Sequence, residues 1–155
     1  MRDIRVAAAQ FENRDNDRQH NLARIECLTR QAVEQGAEIV SFHEGCISGY
    51  TWIQPLTKLQ LLDISEPVPS GPSVRRLIEI ASNFDVVVMA GLIERDANNL
   101  IYNCYVTVGP DGYITKFRKL HPFVNPHLTA GDRFNVIELL GCKIGFLICY
   151  DNNLL

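Results

Sequence analysis

The sequence predicts an α/β protein in which a mixed β-sheet carries helices on one face. Three observations predict it. Two stretches of helical periodicity come early, each preceded by a short strand-like run. An almost continuous apolar run, Asp85 to Ile93, follows the second stretch. Two hairpin signals close the chain.

Taken in order, Asp3 to Phe11 is short, apolar and β-branched at its start, so it reads as a buried strand. From Asp17 to about Gln35 the residues Leu22, Ile25, Leu28, Ala32 and Val33 recur at helical spacing, with Asp17 as cap and Gly36 as stop. Ala37 to His43 is the next strand, and Glu44 follows it. Gly45 to Gly71 holds Pro55, Pro67 and Pro69 and reads as irregular. Gly71-Pro72 opens a helix that runs to about Phe84, because proline is well tolerated at the first helical position. Asp85 to Ile93 has the composition of a strand covered on both faces. Leu100 to Val108 and Tyr113 to Lys119 flank Gly109-Pro110-Asp111-Gly112, a hairpin turn. After a loop from Leu120 to Arg133, Phe134 to Leu140 and Cys142 to Ile148 form a second hairpin around Gly141. The order is β-α-β-α-β-β-β-β-β.

A chain of 155 residues suggests one domain and suffices for a sizeable core. Hydrophobic residues make up 46% and charged residues 21%, the balance of an ordinary globular protein. The formal net charge is −3 and the cations are scattered among acids, which gives no electrostatic case for nucleic acid or an acidic membrane surface. No apolar run approaches the length of a membrane span, and the N-terminus does not read as a secretory signal. Five cysteines, Cys27, Cys46, Cys104, Cys142 and Cys149, are odd in number and irregular in spacing. With no signal, they argue for free thiols in a reducing, cytoplasmic setting.

Three residues of complementary chemistry each follow a strand. Cys149 comes after the run Lys143 to Ile148, where the chain turns out of the sheet and the N–H of Tyr150 can point at an oxyanion. Glu44 follows an apolar strand, a place where partial desolvation suits a carboxylate to act as a base. Lys119 closes a third strand, where an ammonium can stabilise charge developing on a carbonyl oxygen. The bland readings are a structural cysteine, a solvated loop acid and a solvated lysine. Strand ends can converge on one edge of a sheet, and that is what makes the combination informative.

These residues lie in three motifs. Phe42-His43-Glu44-Gly45, followed by Gly49-Tyr50, resembles the glutamate motif of the nitrilase superfamily of carbon–nitrogen hydrolases. Phe117-Arg118-Lys119-Leu120-His121 resembles its lysine motif, and Ile148-Cys149-Tyr150-Asp151 its cysteine motif. Ala8-Ala9-Gln10, Gly71-Pro72, Gly91 to Glu94, Tyr102-Asn103 and the Pro110 hairpin agree, so the resemblance covers essentially the whole chain. It implies a four-layer α-β-β-α sandwich, truncated after the nucleophile strand, and one hydrolase domain over residues 1–155, incomplete at its C-terminal end. It implies Cys149 as nucleophile, Glu44 as general base, Lys119 and the Tyr150 N–H as oxyanion stabilisers, and His43, His121 and Asn103 as further pocket residues. It implies a small-molecule amide or N-carbamoyl amide as substrate, a thioester intermediate, no metal or organic cofactor, and assembly as a homo-oligomer. The amidase branches are favoured over nitrilase proper because Tyr, not Trp, follows the cysteine.

Two departures stand out. The loop Pro122 to Asp132 lacks the second glutamate that many members carry, with Pro126 near its place. Asn152-Asn153-Leu154-Leu155 replaces the Arg-Phe-Pro-Glu run of many amidases. A non-catalytic binding or oligomerisation module is the alternative, and the glutaminase part of a larger synthetase also fits the motif order. Zinc is disfavoured, since His43 with Cys46, His121 with His127, and Cys142 with Cys149 lack paired ligand spacing.

Overall fold

In the computed structural model, residues 3–153 are described; Met1, Arg2, Leu154 and Leu155, which figured in the sequence reading, lie outside them. The elements are β1 (Val6–Ala9), α1 (Arg18–Glu34), β2 (Ile39–Phe42), α2 (Lys58–Ile64), α3 (Pro72–Phe84), β3 (Val87–Arg95), β4 (Ile101–Gly109), β5 (Gly112–Arg118), β6 (Val136–Leu139) and β7 (Cys142–Gly145). Short 3₁₀ turns cover Thr51–Ile53 and Cys149–Asn153.

Strands β1 to β5 form one sheet in sequence order. β1, β2 and β3 are parallel, and β4 runs antiparallel between β3 and β5. The carboxyl ends of β2 and β5 and the amino end of β4 therefore share one edge. The second hairpin does not extend this sheet. β6 and β7 pair only with each other and form a separate two-stranded sheet. Leu139 pairs with Cys142 across Leu140 and Gly141, both at positive φ, so the turn closes the hairpin on itself.

The period-2 alternation of side chains divides the core between the two faces of the larger sheet. Val40, Phe42, Val88, Ala90, Leu92, Cys104, Val106 and Val108 face α1 and α3. Ile39, Val87, Met89 and Phe117 face the other way and pack with Phe146, Ile148 and the hairpin residues Ile137, Leu139 and Ile144. The layers run helix, sheet, sheet, which is three of the four layers of the expected sandwich.

Helix ends follow the sequence closely. Asp17 caps α1 by accepting from the His20 N–H at 3.0 Å. Pro72 opens α3, and the buried carboxylate of Glu66 caps it, accepting from Ser73 N at 2.8 Å and Ser73 Oγ at 2.6 Å. The stretch read as irregular contains α2. Its start is a capping box, in which Thr57 Oγ1 accepts from Gln60 N and Gln60 Oε1 from Thr57 N. One turn of cap chemistry thus nucleates a helix too short for its periodicity to show.

On the helix side of the sheet, Glu94 is 1% exposed and accepts from Lys116 Nζ at 2.5 Å and Arg118 Nη2 at 2.7 Å. Burial disfavours its charge, but hydrogen bonds from Arg118 and Lys116 and their attraction outweigh that and hold its pKa below the usual carboxylate value. The lowered pKa makes this stabilisation present above the unfolded value near 4.5 and lost as pH falls from there through the lower folded-state pKa. Glu94→Gln strands two cations and is expected to cost about 3–5 kcal/mol at neutral pH. Urea unfolding against pH checks this: the variant's stability should fall less steeply in acid than that of the native chain, and parallel curves would refute it.

Candidate active site

Glu44 lies two residues past β2, and three features let it reach across the sheet. Asn21 is fully buried and holds the following loop, donating from Nδ2 to Ile47 O at 2.9 Å. Ile47 N donates to Gly91 O at 3.1 Å. Gly91 itself leaves room for the crossing, since a Cβ there would stand 2.4 Å from Gly45 N and 3.0 Å from Glu44 C. The backbone after β2 thus passes directly over β3 toward β4 and β5.

Lys119 waits one residue past β5. Its N–H donates to Asn103 O at 2.9 Å and its carbonyl accepts from Gly131 N at 2.8 Å, so the main chain is pinned on both sides. Its side chain is fully buried. The ammonium donates to Glu44 Oε1 at 2.6 Å and approaches the Tyr50 hydroxyl at 3.4 Å, with the rings of Tyr50 and Phe123 5.3 and 5.2 Å away. Asn103 Nδ2 donates to the same Glu44 oxygen at 2.6 Å. Burial alone would drive the ammonium's pKa down; the hydrogen bond and charge of Glu44, helped by Tyr50, outweigh this and raise it. Lys119 is a fixed positive charge and no base. Tyr50 moves up as well, through burial first and the Glu44 charge second.

Cys149 opens the final 3₁₀ turn, four residues beyond the end of β7, and is exposed. Its φ of +48° is left-handed, a conformation that costs a non-glycine residue on the order of 1–3 kcal/mol and persists only where the surroundings impose it. Cys149 and Glu44 line one cavity of about 420 Å³, together with Ile39, Met89, Tyr105 and the segment from Ile144 to Ile148. Among the described residues, the Cys149 sulfur makes no hydrogen bond to Glu44 or Lys119, and Lys119 stands behind Glu44 and outside the cavity lining. Two of the other thiols, Cys46 and Cys104, are buried. Burial pushes Cys46 up to about 12 and Cys104 well above its ordinary value.

The remaining expectations divide. Asn103 joins Glu44. His43 turns the other way, stacking edge-on against Phe11 at 5.1 Å and lining a shallow depression with Gln10. His121 stays outside the cavity, its Nδ1 3.1 Å from Asp151 Oδ1. Tyr150 holds the second position of the 3₁₀ turn, where opening N–H groups lack an intrahelical acceptor, and its ring packs on Phe123 at 5.3 Å. No three His, Cys, Asp or Glu side chains gather at metal-binding distance among the described residues. The sequence reading passed over Tyr50 and Asp151, although both lie inside the quoted motifs. Asp151 is buried and takes backbone N–H groups from two loops.

The carbon–nitrogen hydrolase family model matches residues 5–154. The chain belongs to the carbon–nitrogen hydrolase family. Its curated relatives include a nitrilase of Pyrococcus abyssi, 32% identical over 151 residues, and the omega-amidase NIT2 of Bos taurus, 34% identical over 164 residues. These alignments take in 96% and 97% of this chain but 56% of each relative, so the chain spans about half their length. A solved superfamily protein of Xanthomonas campestris, with an arsenic adduct in its active site, shares the fold at a TM-score of 0.84 and 23% identity. That match covers 99% of this chain and 56% of the other. No helix among the described residues is long and apolar enough to cross a membrane.

Gly91→Ala tests the crossing. The new methyl must displace the Glu44–Gly45 backbone, at an expected cost of about 1–3 kcal/mol. Urea unfolding and a crystal structure of the variant check it; Glu44 should withdraw from Lys119, and an unmoved loop would refute the argument.

Proposed function

We propose that this chain carries the catalytic half-site of a thiol hydrolase that cleaves a non-peptide carbon–nitrogen bond in an amide or N-carbamoyl amide. The observation that carries this reading is the pair of the buried Lys119 with Glu44, whose carboxylate lines the same cavity as the exposed thiol of Cys149.

Glu44 accepts the proton of the Cys149 thiol as the sulfur attacks the amide carbon. Both Asn103 and Lys119 bond to Oε1, so the other carboxylate oxygen is the one placed to take that proton. The carbonyl π pair moves onto oxygen, where the Tyr150 N–H and the permanent charge of Lys119 stabilise it. Collapse breaks the carbon–nitrogen bond, and Glu44 returns its proton to the leaving ammonia or amine. Water, deprotonated by Glu44, then attacks the Cys149 thioester, releasing the acid and restoring the thiol. Tyr after Cys149 favours amides over nitriles. The name of the Bos taurus relative, an omega-amidase, supports the amide reading, and the setting proposed is a soluble, cytoplasmic homo-oligomer.

A second reading has its own observation. Phe134, Val136 and Leu147 are exposed and line a groove on the second sheet, which suits a non-catalytic module that self-associates.

Ammonia release from a panel of small amides separates the two. Cys149→Ala and Glu44→Gln are each expected to lower turnover by about 10³-fold or more, comparable to losing one member of a nucleophile–base unit. Turnover unchanged in Cys149→Ala, or none in the native chain, would refute the hydrolase reading and favour the binding module.

A further inference from the structure

The geometry points to Asp151 as a positioning residue that fixes the nucleophile turn to the lysine loop. The inference rests on the hydrolase reading above for the roles of Cys149 and Lys119, but its geometry stands without it.

The Asp151 side chain is completely buried. Its Oδ2 accepts from Leu120 N at 3.3 Å and from Ile148 N at 3.2 Å. Those are the residues directly after Lys119 and directly before Cys149. One oxygen therefore spans the two loops at the points adjoining both functional side chains. Oδ1 accepts from His121 N at 2.9 Å and faces His121 Nδ1 at 3.1 Å, which locks the carboxylate plane.

The two loops differ in how firmly they are otherwise held. Lys119 is tied to the large sheet through Asn103 and to Gly131. Cys149 has no such tie. β7 ends at Gly145; Phe146 N still donates to Asn135 O at 3.3 Å, and beyond it the chain to Cys149 is held by the buried side chains of Phe146 and Ile148. Past Phe146, the other bonds, Asp151 N to Ile148 O at 3.1 Å and Asn152 Nδ2 to Cys149 O at 3.0 Å, lie within the same turn. Asp151 is thus, past Phe146, the polar link among the described residues that ties the turn carrying Cys149 directly to the loop carrying Lys119. It also closes the turn that imposes the left-handed φ of the cysteine. A buried carboxylate saturated by N–H donors suits this task, because an amide would present its own N–H₂ to one of those donors.

A residue that sets the gap between nucleophile and counter-charge affects the reacting geometry more than substrate binding. Asp151→Ala is expected to lower kcat for amide hydrolysis about ten- to a hundredfold with KM changed by no more than about twofold. Asp151→Asn, which keeps one acceptor oxygen, should fall between. His121→Ala keeps every backbone bond to the carboxylate and should stay within about threefold of the native kcat. Each variant is assayed at a temperature where circular dichroism shows it fully folded, so that a merely structural role would leave kcat per folded molecule unchanged. Amide hydrogen exchange supplies a readout independent of turnover: Asp151→Ala should speed exchange at both Leu120 and Ile148. Unchanged kcat, a rise in KM that accounts for the loss, or faster exchange at only one of the two loops would overturn the inference. If the native chain hydrolyses no amide, the hydrolase reading fails, and the exchange result alone decides whether Asp151 links the loops.

Discussion

A fully buried ammonium must have a counter-charge, and the architecture around Lys119 follows from that constraint. Left alone in the sheet interior, the charge would be expelled or neutralised. With Glu44 at 2.6 Å it is held, and its pKa rises. To bring that carboxylate from the end of β2 to the end of β5, the chain must cross β3 where Gly91 carries no side chain, and meet Asn103 at the start of β4. Strand direction makes this possible. Only because β4 is antiparallel and β5 parallel to β2 do all three points fall on one edge.

The same strands carry a second buried ion cluster on the opposite face, and the alternation of a pleated strand keeps the two apart. Along β5 and just beyond it, Lys116 and Arg118 turn to Glu94 on the helix side, whereas Phe117 and Lys119 turn to the hairpin side. On β4, Cys104 goes with the first group and Asn103 with the second. A slip of one residue would exchange the cations between faces and leave Glu44 and Glu94 with the wrong partners, so the charges help to fix register. The helix-side cluster braces the sheet. Glu44 of the hairpin-side pair lines a cavity that the exposed Cys149 shares.

Much of this was legible in the sequence because it is local. Periodicity, Asp17, Gly36, Pro72 and the two turns placed the long elements within a few residues. Glu44 and Lys119 were findable because the strands read from the sequence ended at or just before them. What escaped depends on contacts distant in sequence or on short-range chemistry with little periodicity. α2 rests on a Thr57–Gln60 box inside a proline-rich stretch. The second hairpin joins no strand of the main sheet, a matter of packing that its residues do not declare. Cys149 lies past β7 by several residues, because the chain leaves the ladder at Gly145 while staying apolar to Ile148. His43 faces Phe11 because the alternation that sends Glu44 inward sends its neighbour elsewhere. Asp151 bridges loops 30 residues apart, which no spacing rule exposes.

The central claim is that Cys149, facing Glu44 across one cavity, carries the acyl group during turnover. Acid quenching of the native chain during amide hydrolysis, followed by peptide mass spectrometry, tests it most directly. The account predicts a mass increase equal to the acyl group, confined to the peptide containing Cys149 and removed by hydroxylamine. Continued turnover with no adduct, or an adduct on Cys27, Cys46, Cys104 or Cys142 instead, would contradict it.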